Sequence, residues 1–328
     1  MIRRLSALAI LAFALQIGTA LASDTPVAEV SNLRIYSSFW QNLHHFLYAS
    51  AWAGRAVPPG ARPLAMSLPA GSDVSITPGE KATWDKAVAV YDREFASKDL
   101  LFDPGMTMIK LGLSDRDDAL TDAPFDDELK LLLMSAAPIY RKYWWPAHDV
   151  ANRAWIEDAA RRMRKYAPAI IGRLTTLYGV RWFATTVRVD VVRVGKSQGA
   201  YTSDNPTHIV VASADGSYGQ WSSVEMLFHE SSHGLIQKVS AAVDGALAAT
   251  KKRRSDLWHV VLFYIAGEVT KQELANDGVQ YKPYLYATGL FERAWSQFRG
   301  PVEQYVQAYV DGRTTLNQMA ANLAAAVP

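Results

Sequence analysis

His229-Glu230-Ser231-Ser232-His233, preceded by Ser222-Ser223-Val224-Glu225-Met226-Leu227-Phe228 and followed by Gly234-Leu235-Ile236, is the stretch on which the reading of this chain turns. No proline interrupts it, so the spacing predicts a helix. Ser222 or Ser223 is the expected N-cap, with Glu225 as capping-box partner. Residues four apart on a helix lie on one face, one turn apart. Both imidazoles can therefore point at one metal ion. Glu230, beside the first histidine, can reach a water at that ion and act as general base. The two serines between the histidines are uncharged, which suits a helix packed inside a domain. Buried without a metal, the His-Glu-His cluster would strand polar groups at roughly a few kcal/mol each.

A catalytic zinc keeps three protein ligands and one open position. The chain has no cysteine, so the third ligand is a histidine, glutamate or aspartate. The extended motif with a third histidine six residues after His233 is excluded, because that position is Val239. Downstream, Trp258-His259-Val260-Val261-Leu262-Phe263-Tyr264-Ile265-Ala266-Gly267-Glu268 is almost wholly apolar and reads as a second helix. A carboxylate buried at its end needs a strong partner, and Gly267 would let its backbone approach the metal helix closely. Glu268 is therefore the favoured ligand, and one zinc ion on His229, His233 and Glu268 is the expected centre. His259 competes. It lies nine residues before Glu268, on the opposite side of the helix at about 100° per residue, so the two are not expected on one ion. A lone histidine in an apolar helix is more often a core or supporting group. Glu273 and Glu292 lie among polar neighbours.

On His229, Glu230, His233 and Glu268, the chain resembles the gluzincin branch of the zincin metallopeptidases, the thermolysin-like or peptidase MA-like group, over residues 180–300. The resemblance implies zinc-dependent hydrolysis of a peptide or protein substrate by a metal-activated water, with Glu230 passing the proton to the leaving amine. It implies a second donor for the oxyanion from the C-terminal side. Tyr281, Tyr284 and Tyr286, around Pro283, are the choices, and Tyr284 is taken. It also implies that the last strand before the metal helix, here His208–Ser213, forms the sheet edge that pairs with substrate. One departure is Gln272, standing where many gluzincins carry an acid four residues after the glutamate ligand. Support for a ligating histidine then falls to Asp256, Asp277 or a backbone carbonyl. The alternative is a non-catalytic zincin-like binding protein of the cell envelope, which would have no need of Glu230.

Around this centre the expected fold is α+β and mostly helical. Residues 31–55, 82–97, 126–143 and 149–178 carry helical patterns, separated by a Pro/Gly-rich loop from Pro58 to Gly79 and by Pro146. Val187–Val194 and His208–Ser213 read as strands around a turn at Gly195 and Gly199. From Asp256 the chain is helical again, with breaks at Asp277-Gly278, Pro283 and Gly300-Pro301. The expected division is a signal peptide over 1–22, a helical N-terminal region over 23–179, and a zincin-like catalytic region with C-terminal helices over 180–328.

Arg3-Arg4, the apolar run Leu5–Leu15 and Ala20-Leu21-Ala22 form the export signal. The reading is of a periplasmic or secreted protein with no stable membrane insertion once the signal is cleaved. Removing residues 1–22 takes away two of the 34 basic residues and no acid, leaving 32 of each sign. A neutral chain argues against a nucleic-acid partner. Lys251-Lys252-Arg253-Arg254, the only basic cluster, is expected to be a solvated linker.

Overall fold

The computed structural model describes residues 25–53, 76–114, 116, 120–195 and 199–328. The expected signal segment and most of the Pro/Gly-rich loop lie outside the described residues. The fold is mostly helical with one small mixed sheet, as α+β anticipates. Its strands are β1 (Ala28–Val30), β2 (Leu33–Tyr36), β3 (Val187–Val192), β4 (Ala200–Ser203) and β5 (His208–Ala212). They lie in the order β1-β2-β3-β5-β4, with β2, β3 and β5 parallel and the outer two antiparallel to their neighbours.

Two points differ from the sequence reading. Within the stretch read as helix from residue 31, Leu33–Tyr36 are strand and pair in register with β3, so the boundary placed at residue 179/180 runs through the sheet. The edge beside the metal helix is β4, while His208–Ala212 lies between β3 and β4. A strand of four residues carries too few alternations to stand out, and its formation rests on pairing with β5.

Helices cover both faces of the sheet. On one face lie α1 (Phe39–Ala53), α2 (Pro78–Glu94), α3 (Pro104–Gly112) and α4 (Asp127–Tyr143), packed on Val192, Tyr201, Val210 and Ala212. On the other, Val187, Val189, Val191, Ile209 and Val211 meet α5 (Trp145–Tyr178), α6 (Trp221–His233), α7 (Gln237–Ala249) and α8 (Leu257–Ala275). Period-2 alternation in β3 and β5 thus feeds two cores, one on each face. α2 begins at Pro78 under a capping box between Thr77 and Glu80.

The basic run Lys251–Arg254 is not a free linker. The Lys252 ammonium donates to the carbonyls of Ala324 and Ala325 at 3.1 Å each, and Arg254 donates to the Pro328 carbonyl. Lys252 thereby satisfies open carbonyls at the end of the last helix, Leu316–Ala326, and Arg254 ties down the residue two beyond it. Among the described residues no helix is long and apolar enough to cross a membrane.

Candidate metal centre

α6 runs through the interior, with every residue from Ser223 to Ser232 buried. Its interior serines are satisfied locally: Ser231 donates to the Leu227 carbonyl at 2.7 Å and Ser232 to that of Phe228 at 2.6 Å. The expected capping box is absent. Gln220 occupies the N-cap without a side-chain bond, and Glu225 faces inward instead. Its Oε2 accepts from the Tyr281 hydroxyl at 2.6 Å and the Tyr284 backbone N–H at 2.9 Å.

α8 lies antiparallel against α6, and the two meet along residues spaced four apart. Glu225, His229 and His233 on α6 face Gly267, Phe263 and His259 on α8. A Cβ on Gly267 would lie 3.0 Å from the Glu225 Oε1 and 2.9 Å from Pro283, so only glycine permits this approach. The close packing expected of Gly267 is what the structure has. One turn along, the Phe263 ring stacks on His229 with centroids 3.7 Å apart. A further turn along, His259 reaches the pair: its ring centroid is 5.4 Å from His229 and 5.1 Å from His233, which are themselves 5.0 Å apart.

His229, His233 and His259 each offer a ring nitrogen within 4.8 Å of the others, so this group could hold a metal ion. A tetrahedral zinc with nitrogens at 2.0–2.1 Å holds them about 3.4 Å apart, so the three rings would draw together on binding one. The polar inventory fits such an ion. His229 Nδ1 and His259 Nε2 are buried without a hydrogen-bond partner. Burial, aided by the neighbouring rings, holds the His229 pKa far below the usual histidine range and that of His233 at about 3. Burial alone brings His259 to about 4. All three rings are neutral, with lone pairs available.

Glu268 is not in this group. One residue beyond Gly267, it is turned about 100° off the seam, and its carboxylate accepts from the Lys271 ammonium at 3.0 and 3.2 Å. The structure thus brings His259, and not the Glu268 expected, to His229 and His233. The nine-residue spacing does set the two residues on opposite faces, and the seam takes in the histidine. Asp256 and Asp277 do not support the histidines either. Asp256 accepts from the Trp295 indole N–H at 2.8 Å, and Asp277 pairs with Lys165 at 2.7 Å.

Glu230 is buried on the sheet side of α6. Its Oε2 accepts from the Thr202 hydroxyl of β4 at 2.6 Å, and the same hydroxyl lies 3.1 Å from the Glu230 carbonyl. Tyr284, in the short helix Tyr284–Ala287, is separated from His229 by Phe263, on which it stacks with centroids 6.0 Å apart. Its hydroxyl accepts from Ser217 at 3.4 Å. That places Tyr284 in the wall behind Phe263, not beside the histidines, and the oxyanion role expected of it finds no support in the geometry.

The remaining histidines have partners elsewhere, with His44 Nε2 the one ring nitrogen among them buried without a hydrogen bond. His44 pairs with the Tyr91 hydroxyl, and His45 bridges the Gln41 carbonyl and the Tyr201 hydroxyl. His148 meets the Tyr140 hydroxyl and His208 meets Asp190. No protein-family model matches the chain, nor does any curated protein or solved structure.

Proposed function

We propose that the chain is an exported, zinc-dependent hydrolase acting on peptide bonds. One observation carries the reading: three neutral imidazoles converge from two helices, and a buried carboxylate sits next in sequence to one of them. An all-imidazole donor set suits zinc, and three protein ligands leave a fourth position open. When bound there, the ion supplies a Lewis acid that brings the pKa of a water toward neutrality.

The chain's own residues do the rest. Glu230 accepts one proton from the attacking water while the hydroxide oxygen bonds to the scissile carbonyl carbon. The carboxyl then gives that proton to the amide nitrogen as the C–N bond breaks, so products are an acid and an amine and Glu230 ends as it began. Burial of the carboxylate keeps competing water away from this transfer.

The test has two parts. Purified protein should carry about one equivalent of zinc. Glu230→Gln should keep the zinc and lose hydrolysis of a casein substrate by about 10²–10⁴-fold. A Glu230→Gln protein that cleaves casein at the wild-type rate refutes the mechanism. A zinc-loaded wild type that cleaves nothing leaves the binding-protein alternative.

A further inference from the structure

We propose that Thr202, on the edge strand β4, is a positioning residue for the Glu230 carboxylate. The inference rests on the hydrolase reading above. Thr202 is 6% exposed and Glu230 4%, so neither has bulk water as an alternative partner. Strand alternation decides which way the hydroxyl points. Tyr201 turns toward α1, where its hydroxyl meets His45, and Thr202 turns to the opposite face, toward α6. Pairing of Thr202 with Ile209 in β5 fixes its height on the sheet. At 2.6 Å to Oε2, the contact has the length of a charge-assisted O–H···O bond.

The second contact sharpens the role. A hydroxyl has one hydrogen and two lone pairs, and Thr202 has two acceptors in reach on the same residue, the carboxylate at 2.6 Å and the Glu230 carbonyl at 3.1 Å. It donates to the carboxylate while Glu230 is ionised. The proton of water goes to the other carboxyl oxygen, Oε1, so the hydroxyl can go on donating to Oε2 while the proton is taken and given back. The side chain of Glu230 is then held through both halves of the proton transfer without breaking from the strand. A β-branched residue suits this duty because its χ1 is stiff. A general base gains from such anchoring because misplacement by about 1 Å can cost on the order of 10²-fold in rate.

The experiment compares Thr202→Val, which keeps the shape and removes the hydroxyl, with Thr202→Ser, which keeps the hydroxyl. Thr202→Val should retain about one equivalent of zinc, lower kcat on casein peptides about 10–100-fold and leave KM within about threefold. Thr202→Ser should restore kcat to within about threefold. Thr202→Ala carries the same comparison if the valine variant does not fold. A second readout needs no activity. In metal-free protein, the thermal shifts of Thr202→Val and Glu230→Ala should fail to add in the double variant by at least about 2 °C. Wild-type kcat in Thr202→Val, no rescue by serine, loss of zinc with the hydroxyl, or additive thermal shifts would each overturn the inference. Wild-type activity in Glu230→Gln would instead overturn the hydrolase reading itself.

Discussion

Exchanging the two residues that compete for the third ligand position gives the sharpest test of the centre. His259→Ala removes a ring whose nitrogen lies within 4.8 Å of both other histidine nitrogens. Glu268→Gln removes a charge held by Lys271 and off the α6–α8 seam. Apparent zinc binding energies of about 10–16 kcal/mol, spread over four ligands in small structural sites, amount to about 2.5–4 kcal/mol per ligand. Loss of His259 should therefore weaken zinc by about 10²–10³-fold. Glu268→Gln should weaken it less than about tenfold, the lower end of what outlying groups contribute. Competition with a chromophoric chelator reads both values directly. Thermal unfolding gives a second reading: zinc at about 1,000 times Kd stabilises by about 4 kcal/mol, and a thousandfold loss of affinity reduces that to about 0.4 kcal/mol. If Glu268→Gln loses zinc as His259→Ala should, while His259→Ala holds it, the seam argument is wrong and the glutamate is the ligand.

Other consequences follow from the same packing. Gly267→Val should destabilise the protein by about 1–3 kcal/mol in urea unfolding, since its side chain meets Glu225 and Pro283 at 3.0 Å or less; unchanged stability would mean that α6 and α8 are not in close contact. Burial raises the Glu225 pKa to about 7 from an ordinary 4.5. The folded protein thus binds more protons than the unfolded chain between those values, and stability contributed below pH 4.5 is lost as pH rises to 7. Relative to Glu225→Gln, metal-free wild type should lose up to about 1.4 kcal/mol per pH unit across that window; parallel pH profiles would refute it. Lys110, fully buried and donating to the His208 carbonyl at 3.0 Å, is pushed by burial in the opposite sense, from 10.5 to about 7. There the unfolded chain binds more protons, so stability should rise from pH 7 toward 10.5 in wild type and not in Lys110→Met, as denaturation at stepped pH would show.

The parts legible from sequence were those whose pattern is local. The helix through His229, the helix after Asp256, and the β-branched runs at 187 and 208 each repeat their period often enough to be read. β1 and β2 span three and four residues and exist because β2 finds β3 more than 150 residues away. Nothing within residues 28–36 announces that partner, and the aromatic run that follows draws residues 31–36 into a helical reading. The third member of the histidine group is a different case. Gly267 was legible as the point of close approach, and a contact at 267 places 263 and 259 on the same face by helical spacing alone. The ladder His259-Phe263-Gly267 is the signal that selects the histidine. A glutamate at the end of an apolar helix outweighed it only because burial of that carboxylate seemed to demand a metal, whereas Lys271, three residues on, meets the demand with an ammonium.

The donor set changes what Glu230 has to do. A carboxylate third ligand would reduce the charge of a bound dication to about +1 before any water is considered, whereas three neutral imidazoles leave it at +2. The greater uncompensated charge favours loss of a proton from water, and it also favours keeping Glu230 ionised, which lowers its appetite for that proton. These effects oppose each other, and the balance depends on how freely the carboxylate can move toward the cation. Left to swing, an ionised glutamate next to a +2 centre would tend to become a fourth ligand and close the open position. The Thr202 hydroxyl, 2.6 Å from Oε2, ties the carboxylate to the sheet on its other side. On the proposed reading, the bond from the edge strand would therefore separate a base from a ligand, and a neutral third histidine would make that separation more necessary than a glutamate would.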